Sequence, residues 1–234
     1  FAESEDSSNT RYRMGLERSG KRWRGRLDGK DLSQLSQLTR LLPTVLMEPD
    51  SHLLISGSPD VRRKYLDWGL FHVKHDFLDN WRAFSKLLKQ RNAALRRPNT
   101  EVLDTLDDML GVQGEKLSDS RAAFTESITL KINPLIENLN FKLADLGIEY
   151  KRGWRGERYA DALRQGRGRD IERGQTQEGP HRSDLLFKTG GIPARAVLSR
   201  GEQKMLAVAL LMAQADILLK KGERPLLMLD DQVS

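Results

Sequence analysis

Near its end the chain runs through four apolar side chains, Leu226-Leu227-Met228-Leu229, straight into two carboxylates, Asp230 and Asp231. No other stretch restricts the fold as strongly. An uninterrupted apolar run this short reads as a buried strand, because it has no polar face to turn to water. Buried strands of this kind belong to parallel sheets, and parallel sheets gather ligands at the carboxyl ends of their strands. The two acids fall at that end. A solvated acidic turn after a strand would carry the same residues.

The strand is preceded by the strongest helical pattern in the chain. Met205, Leu206, Ala209, Leu210, Ala213 and Ile217 recur on one side of Glu202–Leu219, and Lys220, Lys221 and Gly222 end it. Its start reads Leu198-Ser199-Arg200-Gly201-Glu202-Gln203-Lys204. A serine hydroxyl and free backbone N–H groups at a helix N-terminus favour an anion, and Gly201 allows a phosphate to approach the backbone. A serine-capped helix with no ligand fits these residues equally well. The run resembles the ABC signature, L-S-G-G-[EQ], with Arg200 in place of the first glycine. A signature-like helix followed about 25 residues later by an apolar strand and adjacent acids is the order ABC ATPases use.

The remainder divides into three stretches. Residues 1–47 are β-rich: the basic, alternating segments around Arg11–Met14 and Lys21–Leu27 predict two strands joined through Gly15–Gly20. A short helix over Leu32–Leu42 and a short buried strand, Val45–Met47, follow. Residues 48–146 are helical. Ser58-Pro59 opens one helix, Asp76–Arg97 forms a second with Trp81 and Phe84 on its apolar face, and Asn99-Thr100 caps a third. Gly111 and Gly114 are expected to break or bend that third helix, and Pro134 to kink its continuation. Residues 147–234 return to strand, with Gly147–Gly153, Ser183–Lys188 and Ile192–Val197, around a charged helix over Tyr159–Glu172. The expected architecture is α/β: one sheet-based domain interrupted by a helical hairpin.

Composition narrows the partners. The chain has 234 residues, 31% charged and 38% hydrophobic, with a net charge of +6. That balance fits a folded domain and suits a polyanion, although many proteins carry such a charge without binding one. The absence of cysteine excludes disulfides and thiolate metal sites. No apolar run approaches the roughly 20 residues of a membrane span. The polar, acidic opening residues do not form a signal peptide, and a strand so close to the last residue reads as a fragment.

Three further runs sharpen the resemblance. Gly57-Ser58-Pro59-Asp60-Val61-Arg62-Arg63-Lys64-Tyr65-Leu66-Asp67-Trp68-Gly69, Leu88-Lys89-Gln90-Arg91-Asn92-Ala93-Ala94-Leu95 and Gly179-Pro180-His181-Arg182-Ser183-Asp184 stand in order ahead of LSRGEQK and LLMLDD. Together they resemble the RecF family of SMC-like ABC ATPases from Gly57 almost to the end, and residues 1–44 match only loosely. The resemblance implies part of a P-loop ATPase head carrying an inserted helical lid or arm. It also implies a cytoplasmic DNA-binding recombination mediator that uses ATP and Mg²⁺ and dimerises on ATP. Such a mediator promotes RecA loading at single-strand gaps and junctions, with RecR as partner and RecO in the pathway.

Site residues follow from the same resemblance. Asp230 would serve Mg²⁺, and Asp231 would polarise the attacking water. Ser199, Arg200, Gly201, Glu202 and Gln203 would meet ATP held by the opposite subunit. Arg62 and Arg63 would position phosphate or pair internally with Asp67. Arg152 and Arg155, in a run continued by Arg158, Arg164, Arg167 and Arg169, would track DNA or form a solvated helix face. His181 fits either core packing or ligand contact. The family's P-loop, GxxxxGK[ST], is missing: Gly15-Leu16-Glu17-Arg18-Ser19-Gly20-Lys21-Arg22 has its glycine spacing, but puts Arg22 where Ser or Thr must bind the metal. Weak ATPase activity is therefore expected of a longer protein and none of this stretch alone. At Met47-Glu48-Pro49-Asp50 the residue facing the metal is open. Another SMC-like repair ATPase, or a DNA- or protein-binding module with vestigial motifs, are the competing readings.

Overall fold

The computed structural model describes residues 2–5, 11–20, 22–139, 143 and 145–230. The first sheet follows from charge alternation. Strands β1 (Ala2–Glu5), β2 (Arg11–Ser19), β3 (Arg22–Leu27) and β4 (Lys30–Asp31) pair antiparallel in chain order. Asp28 and Gly29 both take positive φ, 49° and 79°, which is the two-residue turn that Asp-Gly favours between β3 and β4. One face of the β2–β3 hairpin packs on helix α1 (Ser36–Leu41). There a Cβ on Gly25 would lie 2.8 Å from the Leu38 side chain. The P-loop look-alike is part of this hairpin: Gly15 pairs with Arg26 inside β2, and Gly20 sits in the turn at φ 59°. A phosphate loop must lead into a helix, and this one leads into β3.

Strand β5 (Thr44–Met47) and a 3₁₀ turn, Pro49–His52, lead into short α2 (Leu53–Ser56). The helical stretch then contains α3 (Pro59–Val73), α4 (Phe77–Ala94) and α5 (Thr100–Asn138). The break expected at Gly111 and Gly114 does not occur. Helix α5 runs 39 residues without interruption, with Pro134 inside it. The glycines serve packing instead. A Cβ at Gly111 would lie 2.8 Å from Ala160, and one at Gly114 would lie 2.5 Å from the Tyr159 ring. Both belong to the start of helix α6 (Tyr159–Arg173), which crosses α5 at close range because these two positions have no side chain.

Strand β6 (Leu146–Lys151) precedes α6. After it β7 (Asp184–Thr189) pairs antiparallel with β6, and β8 (Ile192–Pro193) with β7. The strand expected over Ile192–Val197 is strand only at its first two residues, and α7 (Ala194–Val197) follows directly. Helix α8 (Arg200–Lys220) is the centre of the core. Its Leu206, Ala207, Ala209, Leu210, Ala213 and Leu218 are fully buried. Its polar contacts are also matched: Tyr65 donates its hydroxyl to the Leu210 carbonyl at 2.7 Å, and Gln214 donates to the Tyr65 carbonyl at 2.8 Å. One apolar cluster runs from Leu54 through α3, α4 and α5 to β7 and Ile217. Burying a single side chain of this kind contributes roughly 1.5–3 kcal/mol. Among the described residues no helix is long and apolar enough to cross a membrane.

Strand β9 (Leu226–Leu229) pairs in parallel with β5, as its composition requires, but it is not buried. Leu226, Leu227 and Met228 are 45–51% exposed and Leu229 is 76% exposed. Among the described residues β5 is its sole strand partner, so most of its apolar surface faces solvent.

Candidate functional site

Two features identified in the sequence face outward at one end of α8 and of the β5–β9 pair. At the start of α8, Ser199 is an N-cap in extended conformation. Its hydroxyl accepts the Glu202 N–H at 3.3 Å, while the Glu202 carboxylate accepts the Ser199 N–H at 2.8 Å. This reciprocal box satisfies two helix-end donors. The two hydrogen bonds from Ser199, side chain first and then backbone, hold the Glu202 carboxyl below its usual pKa. Arg200 and Gly201 are exposed, and the space beside Gly201 is open, with no atom within 4 Å of where a Cβ would stand. Gln203 is different. It is buried and donates to the Leu198 carbonyl at 2.9 Å, so it braces the turn from inside instead of facing a ligand. The outward surface of the motif is Ser199, Arg200 and Gly201, with Glu202 occupied by the cap.

The register of β5 and β9 sets the second feature. Met47 lies opposite Leu229, and the Asp230 N–H donates to the Met47 carbonyl at 2.9 Å. Glu48 and Asp230 therefore leave the same edge of a parallel pair side by side. Glu48 is the acid that reading by motif left open. Its backbone N–H donates to Ser51 Oγ at 2.9 Å, which sets the turn, and Glu48, Asp50 and Ser51 line a cavity of about 410 Å³ together with Lys64, Trp68 and Gln214. Asp231 lies outside the described residues. Among the described residues no three His, Asp or Glu side chains converge as a ready-made metal cage. A pair of carboxylates at a strand edge suits a hard cation such as Mg²⁺, which commonly takes one or two carboxylates and fills its remaining positions with water and phosphate oxygens.

Arg62 and Arg63, expected either to position phosphate or to pair internally with Asp67, are mostly internal but take other partners. Arg62 is buried at 4% exposure. Its guanidinium makes a two-pronged pair with Asp184, at 2.7 and 3.1 Å, and donates to the Gly57 carbonyl at 2.7 Å. Arg63 donates to the Ser183 carbonyl at 2.7 Å and lies 3.5 Å from Asp60. Neither pairs with Asp67, which is taken by Arg121 through two bonds of 2.8 Å. Arg121 also donates to the Pro180 carbonyl and to Ser183 Oγ. A buried guanidinium with its donors committed has none left for DNA, so Arg62 is corrected to a structural role, and Arg63 serves mainly to hold the 183–184 backbone.

Arg91 completes the set. It is fully buried, donates to Asp107 at 2.6 Å and to Asp170 and Thr176 at 2.7 and 2.8 Å, and reaches the Leu163 carbonyl. The sequence carried a signal for it: Leu87, Arg91 and Leu95 fall at four-residue spacing on the buried face of α4, and an arginine there needs partners. His181 packs near Phe84, with ring centroids 6.3 Å apart, and its Nε2 meets the Thr176 carbonyl at 3.0 Å. Burial, with the charges of Arg182, Arg63 and Arg121, depresses its pKa to about 4, against the raising effect of the Thr176 carbonyl. It is a packed neutral imidazole.

The arginine run also separates. Arg164 pairs with Asp108 and Asp161, Arg167 with Asp104 and Asp107, and Arg169 with Glu178. Arg152 and Arg155 precede α6 and stay exposed; Arg152 lies over the Trp154 ring, 5.1 Å from its centroid.

A serine-capped helix start, a parallel strand pair ending in carboxylates and the helices between them make up an ABC ATPase-like fold. Two solved structures share the fold: the recombination mediator protein RecF with ATP, and with ATPγS, in the RecFOR pathway, at TM-scores of 0.84 and 0.83 and 20% and 21% identity. They are matched over 96% and 97% of this chain and over 64% and 65% of theirs. Among curated proteins, the DNA replication and repair protein RecF of Stenotrophomonas maltophilia is 44% identical over 228 residues, and that of Xanthomonas axonopodis pv. citri 42% over 223 residues. These two matches take in 96% and 94% of this chain, which spans 63% and 61% of the relatives' length. No family model matches it.

Proposed function

We propose that this chain is the signature- and acid-bearing part of a RecF-type recombination mediator that binds ATP between two subunits and acts on DNA. The observation that carries this is the homology to RecF, in which the serine-capped start of α8 and the Asp230 edge occur in the order an ABC head requires. In this reading residues 48–146 are the helical arm. The backbone N–H groups of Arg200 and Gly201, beside the Ser199 hydroxyl, present donors and an open approach to the γ-phosphate of a nucleotide held by the opposite subunit. Asp230 and Glu48 hold Mg²⁺ at the strand edge, and Asp231 orients the attacking water. A bound Mg²⁺ would neutralise charge on the phosphates. An aspartate in the water-orienting position, shorter than glutamate, suits slow hydrolysis and a switch. RecR, with RecO and RecA, completes the pathway at single-strand gaps. The part described here, without a phosphate loop, neither holds ATP tightly nor hydrolyses it alone.

The test uses the protein extended to the full length of its relatives. Its mass is measured by light scattering with and without ATP·Mg²⁺, beside a Ser199→Arg variant. ATP-dependent dimerisation abolished by Ser199→Arg is expected. A monomer under every condition would exclude the split site.

A further inference from the structure

The loop between β6 and α6, Arg152-Gly153-Trp154-Arg155-Gly156-Glu157-Arg158, is built differently from the rest of the arginine run. It is fastened mainly by hydrogen bonds to carbonyls and through backbone N–H groups. Trp154 is its buried anchor, tilted 38° against the Tyr159 ring with centroids 4.9 Å apart, and the Arg152 guanidinium lies over the indole. Gly153 and Gly156 both adopt positive φ, 90° and 81°, and Arg152 closes the loop by donating to the Gly156 carbonyl at 3.0 Å. The loop is also fastened to the neighbouring segment. Gly179 donates its N–H to the Gly153 carbonyl at 2.9 Å, and the Arg155 N–H donates to the Glu178 carboxylate at 3.2 Å. A Cβ at Gly153 would lie 2.8 Å from the Arg182 backbone, so Arg182 stands against the loop. That segment is in turn held from beneath by Arg63 and Arg121.

The result is one fixed surface that displays Arg152, Arg155, Arg158 and Arg182, all exposed, with Glu157 as the loop's own acid. Arg155 and Arg182 have no side-chain partner among the described residues, and Arg158 lies 4.0 Å from Asp161. The backbone N–H groups of Gly156, Glu157 and Arg158 donate to nothing among the described residues, and the buried Trp154 indole N–H is likewise unmatched. Positive-φ glycines beside free N–H groups and guanidinium groups form a setting for phosphate oxygens. Arg96 and Arg97, equally exposed just past α4, lack such a loop.

We propose that the loop 152–158, together with Arg182, docks the phosphodiester backbone of DNA, reading charge and spacing and not sequence. This rests on the DNA-binding reading above and assigns it a place. The experiment takes the full-length protein with ATP·Mg²⁺ and a fluorescent gapped duplex, and measures affinity from 50 to 300 mM salt for the wild type, for Arg155→Glu with Arg182→Glu, and for Arg96→Glu with Arg97→Glu. The loop variant is expected to bind at least about tenfold more weakly and to lose roughly 2 from the slope of log K against log salt, near 0.9 per phosphate contact. The Arg96/Arg97 variant is expected to retain the wild-type slope. Unchanged affinity and slope in a folded loop variant, or an equal loss in both variants, would overturn the assignment while leaving DNA binding intact. A wild type that binds no DNA would remove the functional reading itself.

Discussion

The segment 176–184 and the β5–β9 pair are built in opposite ways. The segment is irregular backbone held by three buried arginines and the half-buried Arg63: Arg62 on Asp184, Arg63 and Arg121 on the carbonyls of Ser183 and Pro180, and Arg91 on Thr176. The strand pair is regular backbone with apolar side chains turned to solvent and carboxylates at its tip. A loop cannot bury its polar groups without partners, so charged side chains from α3, α4 and α5 were recruited to it. A parallel pair meets its own backbone needs along one edge, and here the apolar side chains of β9 stay exposed. The first region thus has its polar groups matched by side chains from three helices, while the two strands of the second are joined by backbone pairing.

The largest expected effect breaks the completed region. Arg91→Met leaves Asp107 and Asp170 buried with no countercharge from α4, and should cost about 3–5 kcal/mol in unfolding free energy measured by urea titration. Arg200→Ala, at the exposed start of α8, should stay within about 0.5 kcal/mol. Similar losses for the two would mean that the arginines of this protein are not divided as described.

How much of this was legible in the sequence depended on whether a feature was local. Strand β9, the Ser199 cap and helix α8 were readable because composition and spacing along the chain determine them. The α5 glycines misled for a physical reason. Glycine weakens a helix locally, and the contact that makes it necessary here, with Ala160 and Tyr159, lies in a helix far along the chain. The partners of Arg62 and Arg121 were equally out of reach, since Asp184 and Asp67 compete for nearby guanidinium groups and only the packing decides between them. Glu48 was missed as a neighbour of Asp230 because strand register, and not sequence, brings the two together.

A smaller effect tests whether the α5–α6 crossing is fitted as closely as the segment 176–184. Gly114→Ala would drive a Cβ into the Tyr159 ring. Overpacking of that kind costs about 1–3 kcal/mol, offset by up to about 1 kcal/mol from improved helix propensity, so a net loss near 1–2 kcal/mol is expected. Gly168→Ala, inside α6 with open space around it, should instead stabilise by roughly 0.5–1 kcal/mol. Denaturant midpoints that move in the same direction for both would show that the α5–α6 crossing is looser than its glycines imply. On the exposed side, Ser199→Ala removes one capping bond and should cost about 1 kcal/mol, read by the same titration.

The smallest expected effect separates the two regions by pH. His181, within the segment, and His72, on α3, both have pKa values depressed to about 4 from an ordinary 6.5, chiefly by burial and secondarily by cationic neighbours, with Arg40 acting on His72. A histidine whose folded pKa is lowered favours the neutral state of the native protein. Its contribution is therefore complete above about pH 6.5, declines as pH falls from there toward 4, and changes little below. Neither residue belongs to the β5–β9 pair. His181→Gln keeps an amide donor for the Thr176 carbonyl and removes the titration. Between pH 6.5 and 5 the wild type should lose roughly 1 kcal/mol more stability than this variant, after allowance for partial exposure of the ring. Parallel pH profiles for the two proteins would place the acid sensitivity in the carboxylates. If instead the profiles diverge only above pH 7, the imidazole is charged in the native state, and the packed neutral role assigned to His181 is wrong.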